Sequence, residues 1–118
     1  MTRDHFFFRI DGALKRVDCR DILFLQTADN YTNIYLKGGF YTTRIPLKLA
    51  VEQLKDHGMV QIHRSYAVIA SKINVIAKDS IVLIADKEVQ LPFNRKYLPE
   101  LLKRIDILGL QTDAEEEV

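Results

Sequence analysis

The sequence predicts a mainly β fold in one domain, and three observations carry that prediction. Short β-prone segments separated by turn residues follow one another from Phe6 to Leu91. Helical periodicity is confined to one short stretch midway and one near the C-terminus. The connections read as local hairpins, which argues against the parallel sheet of an α/β enzyme.

Residues 6–10 and 13–17 flank Asp11-Gly12, a dipeptide suited to a tight hairpin turn. Residues 21–28 carry Ile22, Leu23, Phe24 and Leu25, the continuous apolar run of a buried strand. Residues 31–37 alternate Tyr31, Asn33 and Tyr35 against Thr32, Ile34 and Leu36, as a half-exposed strand does. Lys37-Gly38-Gly39-Phe40 predicts a turn into a strand over 41–45. Pro46 breaks that strand and is tolerated in the first turn of a helix. Leu47, Ala50, Val51 and Leu54 then give a short amphipathic helix, closed by Asp56-His57-Gly58. Strands are expected over 59–62, 66–70, 73–77 and 81–85, with Lys78-Asp79-Ser80 and Asp86-Lys87 as turns. A last strand over 88–91 stops at Pro92. Asn94 suits the N-cap of a helix over 95–108, striped by Tyr97, Leu98, Leu101, Leu102 and Ile105.

Composition narrows the function classes. A chain of 118 residues, 47% apolar and 28% charged, is globular and neither disordered nor fibrous. Apolar runs such as 81–85 fall far below the ~20 residues that span a bilayer, so no membrane partner is expected. Arg9 and Asp11 interrupt Phe6-Phe7-Phe8, so no signal peptide is readable. A lone Cys19 excludes an intrachain disulfide and fits a reducing cytoplasm. The net charge is only +1, but Asp113, Glu115, Glu116 and Glu117 crowd residues 111–118, expected to be an acidic disordered tail. Without them 17 basic face 12 acidic residues, a modest excess that permits nucleic-acid binding if gathered on one face of the domain over 1–110.

Three polar clusters each follow a core-type run: Asp29-Asn30-Tyr31-Thr32-Asn33, His63-Arg64-Ser65-Tyr66 and Phe93-Asn94-Arg95-Lys96. Their side chains suit hydrogen bonding to base edges and phosphates. Asp29 and Asn30 are equally at home in a tight turn. Thr32 and Asn33 lie past that turn, where no turn geometry demands them. His63 suits a half-buried histidine bonding a neighbouring loop, whereas Arg64 has no obvious core role. Asn94 has a sufficient reason as an N-cap. Arg95 and Lys96 oppose the helix dipole by about 0.3–1 kcal/mol, yet stand beside unpaired N–H groups that attract anions.

Together these segments resemble the LytTR DNA-binding domain. Ile22 through Tyr31 resembles its strand followed by small residues and Asn-Tyr. Val60-Gln61-Ile62-His63-Arg64-Ser65-Tyr66 resembles its His-Arg-Ser-Tyr signature, and Leu91-Pro92-Phe93-Asn94-Arg95-Lys96-Tyr97 its element before the last helix. Asn94 stands where the family usually has serine, and Ile69 where it usually has asparagine. The resemblance implies an elongated antiparallel fold of successive small sheets that reads double-stranded DNA in successive major grooves. By motif position, Thr32, Asn33, Arg64 and Arg95 would face bases. Asn30, Lys48, His63, Asn94 and Lys96 would contact the DNA backbone or support the readers. It also implies paired direct-repeat half-sites, with a homodimer forming on DNA. A receiver domain or sensor kinase would enter only if the chain is a fragment of a longer regulator.

Other classes have less support. Paired carboxylates, a nucleophile elbow, a phosphate-binding glycine loop and metal-ligand spacing are all missing, so neither catalysis nor a cofactor is expected. A protein-interaction or small-ligand domain would use Tyr31, Tyr35 and Tyr41 as an aromatic face, although cross-strand pairing suits them better. A single-strand binder would interleave exposed aromatics with Lys and Arg along one groove. Here the cations gather at the three clusters instead.

Overall fold

The computed structural model describes residues 4–109. The acidic segment over 111–118 lies outside the described residues. Ten strands and two short α-helices are arranged as sheets of two, five and three strands, 49 × 30 × 28 Å overall. The mainly β, elongated expectation is borne out.

Strands β1 (His5–Ile10) and β2 (Ala13–Asp18) form the first hairpin. Its turn is Asp11-Gly12, with φ of 48° and 77°, values that favour glycine and tolerate aspartate. The central sheet holds β3 (Ile22–Ala28), β4 (Tyr31–Leu36), β5 (Gly39–Thr43), β6 (Met59–His63) and β7 (Tyr66–Ile69), in the order β5-β4-β3-β7-β6. Helix α1 (Leu47–Gln53) lies between β5 and β6 in the chain. The third sheet is β8 (Ile73–Ile76), β9 (Ser80–Leu83) and β10 (Val89–Pro92), ordered β10-β9-β8. Pro92 can end β10 because that strand lies at the sheet's edge.

Period-2 alternation divides the central sheet's side chains between two cores. Ile22, Leu25, Ile34, Met59, Ala67 and Ile69 face one core with Phe8, Val17, Leu47 and Ala50 from the hairpin and α1. Val60, Ile62 and Val68 face the other with Ile81, Leu83, Leu91 and Phe93. That second layer covers β6 and β7, while β4 and β5 contribute no buried residue to it. Phe40, 54% exposed, marks the open part of this face.

The C-terminal helix is shorter than the periodicity implies. A 3₁₀ turn, Arg95–Tyr97, precedes α2 (Leu98–Leu102), with Lys103 as its C-cap. Ile105 keeps its core contact without helical backbone, and the following Asp106 and Ile107 are weak helix formers. Asn94 caps as expected: its Oδ1 accepts the Lys96 N–H at 3.0 Å. Replacing Asn94 with Ala is expected to lower stability by about 0.5–2 kcal/mol, read from a urea melt.

Cys19 is buried, and burial pushes its thiol above the ordinary pKa, the environment of a packed rather than a nucleophilic cysteine. Among the described residues, no His, Cys, Asp and Glu cluster could hold a metal. No helix among them is long and apolar enough to cross a membrane.

Candidate nucleic-acid interface

Strand order brings the three polar clusters to one rim of the central sheet. β3 and β7 are antiparallel, with Gln26 opposite Tyr66, so β3 ends where β7 begins. The Thr27 N–H donates to the Ser65 carbonyl at 2.9 Å, tying the first cluster's hairpin to the second cluster's turn. The Asn94 N–H donates to the Ile62 carbonyl at 2.9 Å and draws the third cluster alongside β6. Along the rim stand the exit of β5, the Asp29-Asn30 turn, the Arg64-Ser65 turn and Asn94-Arg95-Lys96.

Local chemistry shapes each turn. Ala28 pairs with Tyr31, leaving a two-residue turn in which Asp29 takes a φ of 56° and Asn30 is exposed. His63 pairs with Tyr66 across a second two-residue turn, after a register shift between Gln61 and His63. The His63 Nδ1 accepts the Ser65 N–H at 3.1 Å, so the ring fastens this turn. Arg64 is exposed at the tip, with no hydrogen bond or ion pair among the described residues. In the third cluster Arg95 is half-buried, and the Lys96 ammonium sits 5.2 Å from the centre of the Tyr97 ring. Only three 3₁₀ and five α residues follow Asn94, so the side chains carry the positive charge here and the helix dipole adds little.

Thr32 corrects the sequence-based expectation. It is 0% exposed, and its hydroxyl donates to the Ile45 carbonyl at 2.8 Å. It lies on the β4 face shared with buried Ile34 and cannot reach a base. Its hydroxyl ties β4 to the chain entering α1. Thr32→Val is expected to cost about 1–3 kcal/mol by leaving that carbonyl unsatisfied. DNA affinity of the folded fraction should be unchanged, measured by titration well below the melting temperature.

Asn33 lies on the opposite face, half-buried, and its Oδ1 accepts the Thr42 hydroxyl at 2.7 Å. Lys48 is exposed on the first turn of α1 and lines a groove with Gln61 and Tyr97 that leads towards the third cluster. Arg44, exposed just past β5, is a rim cation missed by the sequence reading. The signal was present: Arg44 precedes the Ile45-Pro46 break, a cation at a strand end like the others. Five cations, Arg44, Lys48, Arg64, Arg95 and Lys96, thus stand at or beside this rim; Asp29 is the acid of its turns, and Glu52 and Glu100 line the groove that holds Lys48.

The tyrosines make no common face. Tyr35 stacks on Phe24 with ring centres 4.7 Å apart, whereas Tyr41 packs on Phe8 in the other core. Tyr35 and Tyr41 thus serve as packed ring pairs on opposite faces, and Tyr31 is left exposed beside the Asp29-Asn30 turn.

A β scaffold presenting cations and amides from one rim suits the phosphates and base edges of a nucleic acid. The family model of the LytTr DNA-binding domain matches residues 12–106. The sensory transduction protein LytT of Bacillus subtilis is 29% identical over 94 residues, 77% of this chain and 39% of that protein. The chain therefore spans about two-fifths of the length of this relative. A solved LytTr DNA-binding domain of a Bacillus cereus response regulator superposes with a TM-score of 0.65 at 18% identity, covering 92% of this chain and 99% of that one. The chain belongs to the LytTR DNA-binding domain family. That family is one of DNA-binding domains, and nothing favours the alternative of a β-rich protein-interaction or small-ligand domain.

Proposed function

We propose that this domain is a sequence-specific reader of double-stranded DNA, with the cationic rim as its contact surface. The observation that carries the proposal is the convergence of three sequence-distant clusters through the Thr27–Ser65 and Asn94–Ile62 backbone bonds. Arg64 and Arg95 are the base readers, since guanidinium groups pair bidentately with guanine. Asn33 is a reader on the adjoining face. Asn30, Arg44, Lys48 and Lys96 meet phosphates, while His63 and Asn94 hold the turns that present the arginines.

Four inter-strand spacings separate β5 from β6, about 19 Å, against a major groove of about 12 Å. The rim therefore spans a groove and the flanking phosphates, which supports contacts of both kinds. Direct-repeat half-sites, pairing of two copies on DNA, a cytoplasmic location and control by a receiver domain or sensor kinase belong to the same proposal.

The test is the salt dependence of binding to duplexes selected from a random pool. If three of the five rim cations meet phosphates the slope of log K against log salt is about −2.7, and if all five do it is about −4.5. A slope near zero, or no selected sequence, would reject the proposal.

A further inference from the structure

We infer that the sheet face behind the rim holds a second DNA-reading element: the carboxamides of Gln26 and Asn33, fixed from either side by Tyr66 and Thr42. This rests on the reading that the rim binds duplex DNA, and it adds Gln26 as a specificity-determining residue.

Four residues lie in register across four strands: Thr42 opposite Asn33, Asn33 opposite Gln26, and Gln26 opposite Tyr66. Hydrogen bonds join the outer pairs. The Thr42 hydroxyl donates to Asn33 Oδ1 at 2.7 Å, and Gln26 Nε2 donates to the Tyr66 hydroxyl at 3.1 Å. Each bond occupies one end of a carboxamide and sets the direction of the other. Asn33 is left with its NH₂ group and a remaining lone pair on Oδ1; Gln26 is left with Oε1 as an acceptor and its second Nε2 hydrogen as a donor. The Tyr66 ring is itself held by Phe24 and His63, with centroid separations of 5.9 and 5.8 Å.

The row is accessible and near the DNA. Thr42 is exposed, Asn33 and Gln26 are half-buried, and among the described residues no layer covers β4 and β5; Gln26 on β3 and Tyr66 on β7 stand at the edge of the layer that packs on Phe24 and Tyr66. Two residues, about 7 Å, set the row back from the ends of β3 and β4, so it reads bases only through the free ends of its carboxamides. Adjacent strands stand about 4.8 Å apart, between one and two base steps of about 3.4 Å, so neighbouring carboxamides face the same or adjacent base pairs. A donor beside an acceptor matches adenine, whose major-groove edge offers N7 and the N6 amino group. The preferred site therefore carries adenine at one or two adjacent positions beside those read by Arg64. Thr42 and Tyr66 are positioning residues.

The experiment is selection from a random duplex pool with the full chain and its variants Gln26→Ala, Gln26→Glu, Thr42→Val, Thr42→Ser and Tyr66→Phe. Gln26→Ala should reduce the adenine preference by roughly 5-fold or more, and Gln26→Glu should shift it towards cytosine. Thr42→Val and Tyr66→Phe should each weaken it by about 2- to 10-fold, and Thr42→Ser should restore it. Apart from Gln26→Glu, which adds a carboxylate, none of these variants changes a charge, so their salt slope should stay as in the parent chain. Unchanged base preferences in Gln26→Ala, Gln26→Glu and Thr42→Val, with specific binding retained, would overturn the inference and leave the rim reading intact. A parent chain with no sequence preference would overturn both.

Discussion

Replacing Arg64 with Ala should weaken binding to a selected duplex by about 1–3 kcal/mol, roughly 5- to 150-fold, while binding to random duplexes falls less. The expectation follows from position. Arg64 stands at the tip of a two-residue turn whose backbone is fixed by the His63 ring and by the Thr27 N–H, so its exposed guanidinium is free to meet a partner. Arg95→Ala belongs to the same class, at a different base position. Competition titrations against selected and random duplexes separate the roles. Equal losses on both would assign the arginine to phosphate, because phosphate contacts carry no sequence information directly.

The largest effect on stability is expected at Ile62. Its side chain is 0% exposed in the second core, and its carbonyl is the acceptor that anchors Asn94. Ile62→Ala removes methyl and methylene groups from a packed site and leaves a cavity, at about 2–5 kcal/mol. Against a total of about 5–15 kcal/mol for a typical domain, that loss moves a urea midpoint decisively. Affinity for DNA should also fall under folding conditions, because Phe93, which leads into the third cluster, loses packing in the same core. A midpoint shift worth less than about 1 kcal/mol would contradict the packing account.

Much of the fold was legible because its signals are local. Asp11-Gly12, the pattern Leu47, Ala50, Val51, Leu54 and the Asn94 cap each encode a structure within a few residues, and each appears where expected. The end of the last helix was not legible. Ile105 continues the apolar stripe, but it meets the core without needing helical backbone.

The site was legible in its residues more than in its assembly. Arg64, Arg95 and Lys96 stood out as cations without a core role. Their convergence depends on β3 pairing with β7 across an intervening helix and hairpin, and one sequence carries no local mark of that pairing. Thr32 shows the opposite failure. The alternation with Ile34 and Leu36 already placed it on the apolar face, and its polar type outweighed its position in the strand. Gln26 and Thr42 were passed over because each looks like an ordinary strand residue until the register aligns it with Asn33.

The central claim is that one rim of the central sheet faces DNA. Titrating an isotope-labelled sample with a selected duplex and following backbone amide shifts tests it directly. Large shifts are expected at Asn30, Arg44, Lys48, Arg64, Ser65, Arg95 and Lys96, with little change at Lys37 and Asp86, which pair at the opposite end of the sheet. Shifts concentrated on the β4–β5 turn and Asp86, with the rim silent, would contradict it.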